Sequence, residues 1–260
     1  MAAVTCLGPD PATHFPIPYR LAYPMPTTSP FRRQLLAAAG GAAALLASRA
    51  SRAQAARADA PTPACVLTPA QTEGPYFVDE RLQRSDIRVD PADGSTRPGA
   101  LLVLTLRVAS VEDRGCVPLA GAMVDIWHCD ARGVYSDAND MTFSTRGSKF
   151  LRGYQVTDAE GRARFATIYP GAYPGRAVHI HFKIRANARN APRDFTSQLY
   201  FDDALTDRVH ARAPYAGPGE RRTRNGRDGL YLQGGPALQL ALIETAEGYA
   251  ATYDVGVRGA

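Results

Sequence analysis

From about residue 62 the chain is a succession of short apolar runs, each closed by glycine, proline or aspartate. That rhythm admits strands and turns and little else. Residues 101–108 and 122–128 are rich in side chains that fit a pleated surface. Further strands are expected at 153–157, 163–168, 179–185, 196–201, 237–244 and 249–257. Asp158-Ala159-Glu160-Gly161 reads as a hairpin turn closed by glycine. Past the N-terminal region, the helical signal is one short stretch at 203–212. The pattern predicts an all-β fold, a β-sandwich of mixed sheets, in one domain over 65–260.

The residues before 65 follow other rules. Arg32-Arg33-Gln34-Leu35-Leu36 leads into a run of Ala, Gly and Leu too short to span a bilayer stably. Ala53-Gln54-Ala55 offers a cleavage site before Ala56. This predicts a leader over 1–55 with a signal peptide, then a linker over 56–64. The paired arginines point to twin-arginine export to the periplasm or exterior, with an ordinary Sec signal as the alternative. Phe31 stands where a serine usually precedes the pair. Residues 1–24 are Pro-rich without apolar periodicity, and Met25 is the expected start.

The net charge of +5 carries no nucleic-acid signature. Lys149 and Lys183 are the only lysines, and the arginines are spread along the chain. The one dense group, within residues 221–227, reads as a solvated loop. Cys65, Cys116 and Cys129 follow the leader, and an exported chain could join two of them. Which two pair is open. Cys129, near Tyr135 in sequence, has metal ligation as a rival reading.

The chemistry gathers in Arg176-Ala177-Val178-His179-Ile180-His181. Alternation along a strand puts His179 and His181 on one face. Tyr173 stands three residues before Arg176, and a second tyrosine, Tyr135, follows Gly133-Val134. Two imidazole nitrogens and two phenolate oxygens suit a hard, oxidised iron better than zinc, which favours Cys, His and carboxylate. His128 reads as a packed or hydrogen-bonded residue, Trp127 as core and His210 as exposed loop.

Three motifs, in this order, resemble the intradiol ring-cleavage dioxygenases, the family of catechol, hydroxyquinol and protocatechuate dioxygenases. The first is Asp125-Ile126-Trp127-His128-Cys129-Asp130-Ala131-Arg132-Gly133-Val134-Tyr135-Ser136. The second is Thr167-Ile168-Tyr169-Pro170-Gly171-Ala172-Tyr173-Pro174. The third is Arg176 to Phe182, followed by Thr196-Ser197-Gln198-Leu199-Tyr200-Phe201. The resemblance covers about residues 65–232.

It implies a β-sandwich with long active-site loops and one Fe(III), bound by Tyr135, Tyr173, His179 and His181. Tyr169 is set aside, because the family pattern Gly-x-Tyr-Pro selects Tyr173. Arg176 matches the arginine over the substrate and Gln198 the glutamine of the same pocket. Tyr76, in Thr72-Glu73-Gly74-Pro75-Tyr76-Phe77, matches a segment lining the substrate mouth in the protocatechuate branch. The implied reaction cleaves a catechol-type ring between its hydroxyls with dioxygen, giving a muconate-type diacid, with Tyr173 leaving the metal to act as base. The alternative is an exported sandwich that binds a metal or aromatic ligand without catalysis. A homo-oligomer is compatible with the resemblance.

Two departures stand out. The catechol and hydroxyquinol enzymes carry an N-terminal helical domain, where this sequence reads as leader and linker. The connection from Tyr173 to His179 is also short, which predicts a more open pocket and broader or bulkier catechols.

Overall fold

A computed structural model describes residues 65–140, 143–188, 191–215 and 223–258. The leader, the twin arginines, Met25 and the 56–64 linker lie outside the described residues. So do Arg221 and Arg222 of the arginine group.

Among the described residues, nine strands make two sheets. β1 (Leu101–Glu112) is the spine of the first. It pairs in parallel with β9 (Gly248–Arg258) and antiparallel with β5 (Arg162–Ile168) and β2 (Gly115–Pro118). The two-residue β8 (Ile243–Glu244) extends β9. The second sheet is antiparallel, in the order β4 (Arg152–Val156), β3 (Met123–Trp127), β6 (His179–Ala188), β7 (Ala191–Tyr200). The expected mixture of directions is therefore confined to the first sheet.

The core lies between the sheets. Leu102, Leu104, Leu106 and Val108 alternate inward along β1, each at most 1% exposed. They share one buried cluster with Phe165 of β5, Val124 and Ile126 of β3, and Ile180, Phe182 and Ile184 of β6. Each such side chain contributes about 1.5–3 kcal/mol when fully buried. The helix α1 (Asp203–His210) starts at Asp202, whose carboxylate accepts the Leu205 N–H at 2.8 Å. Thr206 and Val209 are its buried residues.

Three local expectations are corrected. Asp158–Gly161 joins β4 to β5, and these strands lie in different sheets, so the turn is a corner and not a hairpin. Asp158 Oδ1 accepts the N–H groups of Glu160 and Arg162, which closes the turn without any strand pairing. Most of 237–244 is not strand: a 3-10 turn takes Gly235–Leu238 and β8 only its last two residues. His210 is half-buried, with Nε2 2.9 Å from Pro170 O and its ring stacked on Tyr215. Consecutive antiparallel pairs among the described residues include β1–β2, β6–β7 and β8–β9.

Cys65 and Cys116 form a disulfide, and Cys129 is a buried free thiol. The disulfide starts a strap over residues 65–80 that runs along the molecule. Thr68 and Gly256 exchange two hydrogen bonds, and Gln71 N–H donates to Thr196 O at 3.0 Å.

Candidate metal centre

The site lies on the outer face of the four-stranded sheet, opposite the core. Because Ile180, Phe182 and Ile184 of β6 face inward, His179 and His181 face outward. Strand register then builds one rung across the sheet: Arg152, Trp127, His181 and Gln198. His179 lies opposite Tyr200 on the neighbouring rung.

The tyrosines come from two loops, one after β3 and one after β5. Asp130 Oδ1 accepts the N–H groups of Arg132 and Val134, which folds the first loop back toward Tyr135. Gly133 has φ +82°, and a Cβ there would come within 2.3 Å of Ala172 O. A Cβ on Gly171 would fall 2.4 Å from Asp130 O. Both glycines therefore let the loops close on each other and bring Tyr135 and Tyr173 together, with ring centroids 5.7 Å apart.

The four expected donors converge. His179 Nδ1 donates to Ala177 O at 2.6 Å, which leaves the lone pair on Nε2. That Nε2 lies 3.0 Å from His181 Nε2 and 3.3 Å from Tyr173 Oη. Tyr135 Oη is buried with no well-formed hydrogen bond, interacting only weakly with the Tyr173 hydroxyl. Burial pushes His179 down to about 3 and holds His181 well below its ordinary value, so both imidazoles are neutral. Burial also raises both tyrosines; the Tyr173 phenolate adds to the rise at Tyr135, whereas the Arg176 guanidinium opposes it at Tyr173. A cation among them reverses that penalty. Neutral nitrogens, phenols and an orphaned buried oxygen thus fit a hard trivalent metal. No cluster of three or more His, Cys, Asp or Glu among the described residues offers a rival site. Cys129 Sγ faces Gly171 O at 3.5 Å and burial keeps it a thiol, so its metal-ligating reading finds no support.

Arg176 and Gln198 sit beside the donors. Arg176 Nη2 donates to Gln198 Oε1 at 2.5 Å, and Nη1 approaches His179 Nε2 at 3.5 Å. Gln198 Nε2 donates to Thr72 O on the strap. The strap covers the site elsewhere too. Gly74 packs against the His181 ring, and Tyr76 stacks on Tyr135 at 4.4 Å. Tyr76 Oη donates to Asp140 Oδ2 at 2.6 Å, and burial with that carboxylate pushes it up to about 12. Trp127 is buried as expected, but in the site's own cluster with Tyr135, its ring parallel to His181 at 5.0 Å. His128 is fully buried between Cys129 O and Thr167 Oγ1, and Tyr169 lies in the main core against Thr206.

A family described as "Dioxygenase" matches residues 72–213, more than half of the chain. A solved intradiol ring-cleavage dioxygenase from Tetranychus urticae is 31% identical, and the alignment covers 75% of this chain and 95% of that one, with a TM-score of 0.65. The chain belongs to the intradiol ring-cleavage dioxygenase family. A dioxygenase domain fused to a carbohydrate-binding protein in Streptomyces sp. SirexAA-E is 32% identical over 75% of this chain and 100% of that domain, with a TM-score of 0.53. The protocatechuate 3,4-dioxygenase beta chain of Burkholderia cepacia is 39% identical over 111 residues, 40% of this chain and 45% of that protein. A chlorocatechol 1,2-dioxygenase from Pseudomonas sp. strain P51 is 30% identical over 148 residues, 50% of this chain and 54% of that protein. The chain thus spans about half the length of these curated relatives.

For this family member, sequence reasoning missed four residues that hold the site. Arg152 is 3% exposed and donates to Ser136 Oγ and to the carbonyls of Ser136 and Tyr76, which ties the Tyr135 loop to the strap. Tyr200 donates to Gln71 Oε1 at 2.7 Å, and Asp228 accepts from Arg176 Nε at 2.9 Å. Tyr200 could have been found, since it lies two residues beyond Gln198 on the same strand face. Gln71 and Asp228 fall outside the family match and carry no local signal.

Proposed function

We propose that this chain binds one ferric ion through Tyr135, Tyr173, His179 and His181 and cleaves catechol-type aromatics between their hydroxyls with dioxygen. The observation that carries this is the convergence on His179 Nε2 of His181 Nε2 at 3.0 Å and the Tyr173 hydroxyl at 3.3 Å, beside the buried Tyr135 oxygen that lacks a well-formed hydrogen bond. Bound there, the ion supplies Lewis acidity toward the catechol oxygens and favours their ionised form.

The chain's own residues supply the rest. Tyr135 is fully buried between Tyr76 and Tyr173, which suits a fixed ligand. Tyr173 is less buried, which suits the phenolate oxygen that accepts a proton from a catechol hydroxyl. Arg176, aimed at the donors and steadied by Gln198, stabilises negative charge that develops on the ring. The strap and Trp127 keep water from the imidazoles, and Tyr76 forms part of the wall over Tyr135.

A visible spectrum of the iron-loaded protein, before and after anaerobic catechol, tests the reading. A red-brown tyrosinate-to-iron band that moves to longer wavelength with catechol is expected, followed by oxygen uptake and muconate formation on admitting air. A protein that stays colourless after ferric loading overturns it and leaves the non-catalytic binding module.

The exported location is part of the same proposal. The Cys65–Cys116 disulfide suits an oxidising compartment. A fusion of residues 1–60 to a reporter, exported only in cells with an intact twin-arginine system, is the expected result. The five residues between Tyr173 and His179 include two that are exposed, Pro174's neighbour Gly175 among them, in keeping with an open mouth. Turnover of substituted catechols is expected, and activity on unsubstituted catechol alone would refute the open-pocket reading. Size-exclusion chromatography decides whether the chain forms a homo-oligomer.

A further inference from the structure

We propose that Asp228 is a positioning residue for this site, fixing the guanidinium of Arg176 and, through the backbone of one residue, Ala177, the ring of His179. The inference rests on the proposed dioxygenase reading for its kinetic consequence, but its geometric part stands alone.

Asp228 lies after the 3-10 turn Asn225–Arg227 and is 1% exposed. Its Oδ2 accepts two hydrogen bonds, from Arg176 Nε at 2.9 Å and from Ala177 N at 2.7 Å. Its Oδ1 accepts the N–H groups of Leu230 and Tyr231 at 2.8 and 3.2 Å. The carboxylate is thus pinned on its own loop by one oxygen and reaches the site with the other. Burial works against its ionisation, but the Ala177 and Arg176 bonds outweigh that and hold the carboxyl below its usual range.

The two Oδ2 contacts do different things. The Arg176 contact takes Nε, so the plane of the guanidinium is set from behind. That leaves Nη2 to meet Gln198 Oε1 at 2.5 Å and Tyr200 Oη at 3.4 Å, and Nη1 to face His179 Nε2. The Ala177 contact fixes the peptide N–H of the residue whose carbonyl accepts from His179 Nδ1 at 2.6 Å. One buried carboxylate therefore orients both the cation beside the donors and one of the imidazoles. Among the described residues the acceptor for Arg176 Nε is Asp228, which lies outside 72–213, the span of the family match.

The test compares the iron-loaded parent with Asp228→Asn and Asp228→Glu. Asparagine keeps one oxygen for backbone donors, and glutamate keeps the charge at a longer reach. Phenylglyoxal labelling of Arg176, read by peptide mass spectrometry, follows the guanidinium without reference to catalysis. Expected for Asp228→Asn is a tyrosinate-to-iron band of unchanged intensity, Arg176 labelled several-fold faster, and kcat lowered ~10–100-fold with KM changed far less. Asp228→Glu should recover part of kcat and part of the protection.

Unchanged kcat, or unchanged labelling of Arg176, overturns the proposal. So does a fall in kcat that merely follows lost iron or lost fold in both variants, since that marks a structural role. If the parent itself takes up no iron and no oxygen, the dioxygenase reading fails, and the labelling comparison still decides whether Asp228 holds Arg176.

Discussion

Gly133→Ala separates the geometry of the site from its chemistry, because it changes none of the proposed ligand residues. The new Cβ faces two costs. At φ +82° an alanine is strained by ~1–2 kcal/mol. It also falls 2.3 Å from Ala172 O and 3.1 Å from Tyr173 Cβ, an overlap with backbone that repacking cannot relieve cheaply. Overpacking of that kind costs ~1–3 kcal/mol. Together they predict a loss of about 2–5 kcal/mol. In a domain of this size that lowers Tm by roughly 4–20 °C.

Gly94→Ala is the control. Its φ is +75°, yet no atom lies within 4 Å of the added Cβ, so only the backbone strain applies. A fall of roughly 2–8 °C is expected there. The assay is thermal unfolding of both variants, with the iron band measured on the folded protein. Gly133→Ala should lose much of the band, since pushing the two loops apart separates Tyr135 from Tyr173, while Gly94→Ala keeps it. Equal shifts in Tm with equal iron bands would refute the claim that close approach of the loops builds the centre.

Two further outcomes follow from the strap. Asp79 accepts two hydrogen bonds from Arg185, which hold its carboxyl below the usual range. Its folded value lies below its unfolded one, so the stability it adds is fully present above the ordinary carboxylate range and is lost as pH falls through the folded value. Asp79→Asn should cost at most ~1 kcal/mol near neutral pH, the pair being partly exposed, and urea titrations of parent and variant should converge in acid. A gap that widens on acidification would refute the assignment. Replacing Cys65 and Cys116 by serine opens a link across 51 residues and should cost ~2–4 kcal/mol. Because the strap also carries Thr72, Gly74 and Tyr76 over the site, limited proteolysis should cut it faster in that variant.

Much of this protein was legible from local pattern. Residue types along 101–108 gave the strand β1, and alternation put His179 and His181 on one side of β6. The helix expected at 203–212 forms over Asp203–His210, while Tyr135 and Tyr173 were singled out by the family resemblance and not by periodicity. Other features depend on which elements meet. Asp158–Gly161 has the turn chemistry of a hairpin, yet chain packing sends its flanking strands to different sheets. Periodicity could not choose Cys65 as the partner of Cys116, nor place Gly74 and Tyr76 over the imidazoles. Nor could it bring Asp228 to a guanidinium 52 positions away. Sequence by itself determined most of the strands, the shared face of the two imidazoles and which residues to propose as donors. Tertiary structure alone decided what covers, anchors and aims those donors, because contacts between distant segments arise only once the sheets have packed.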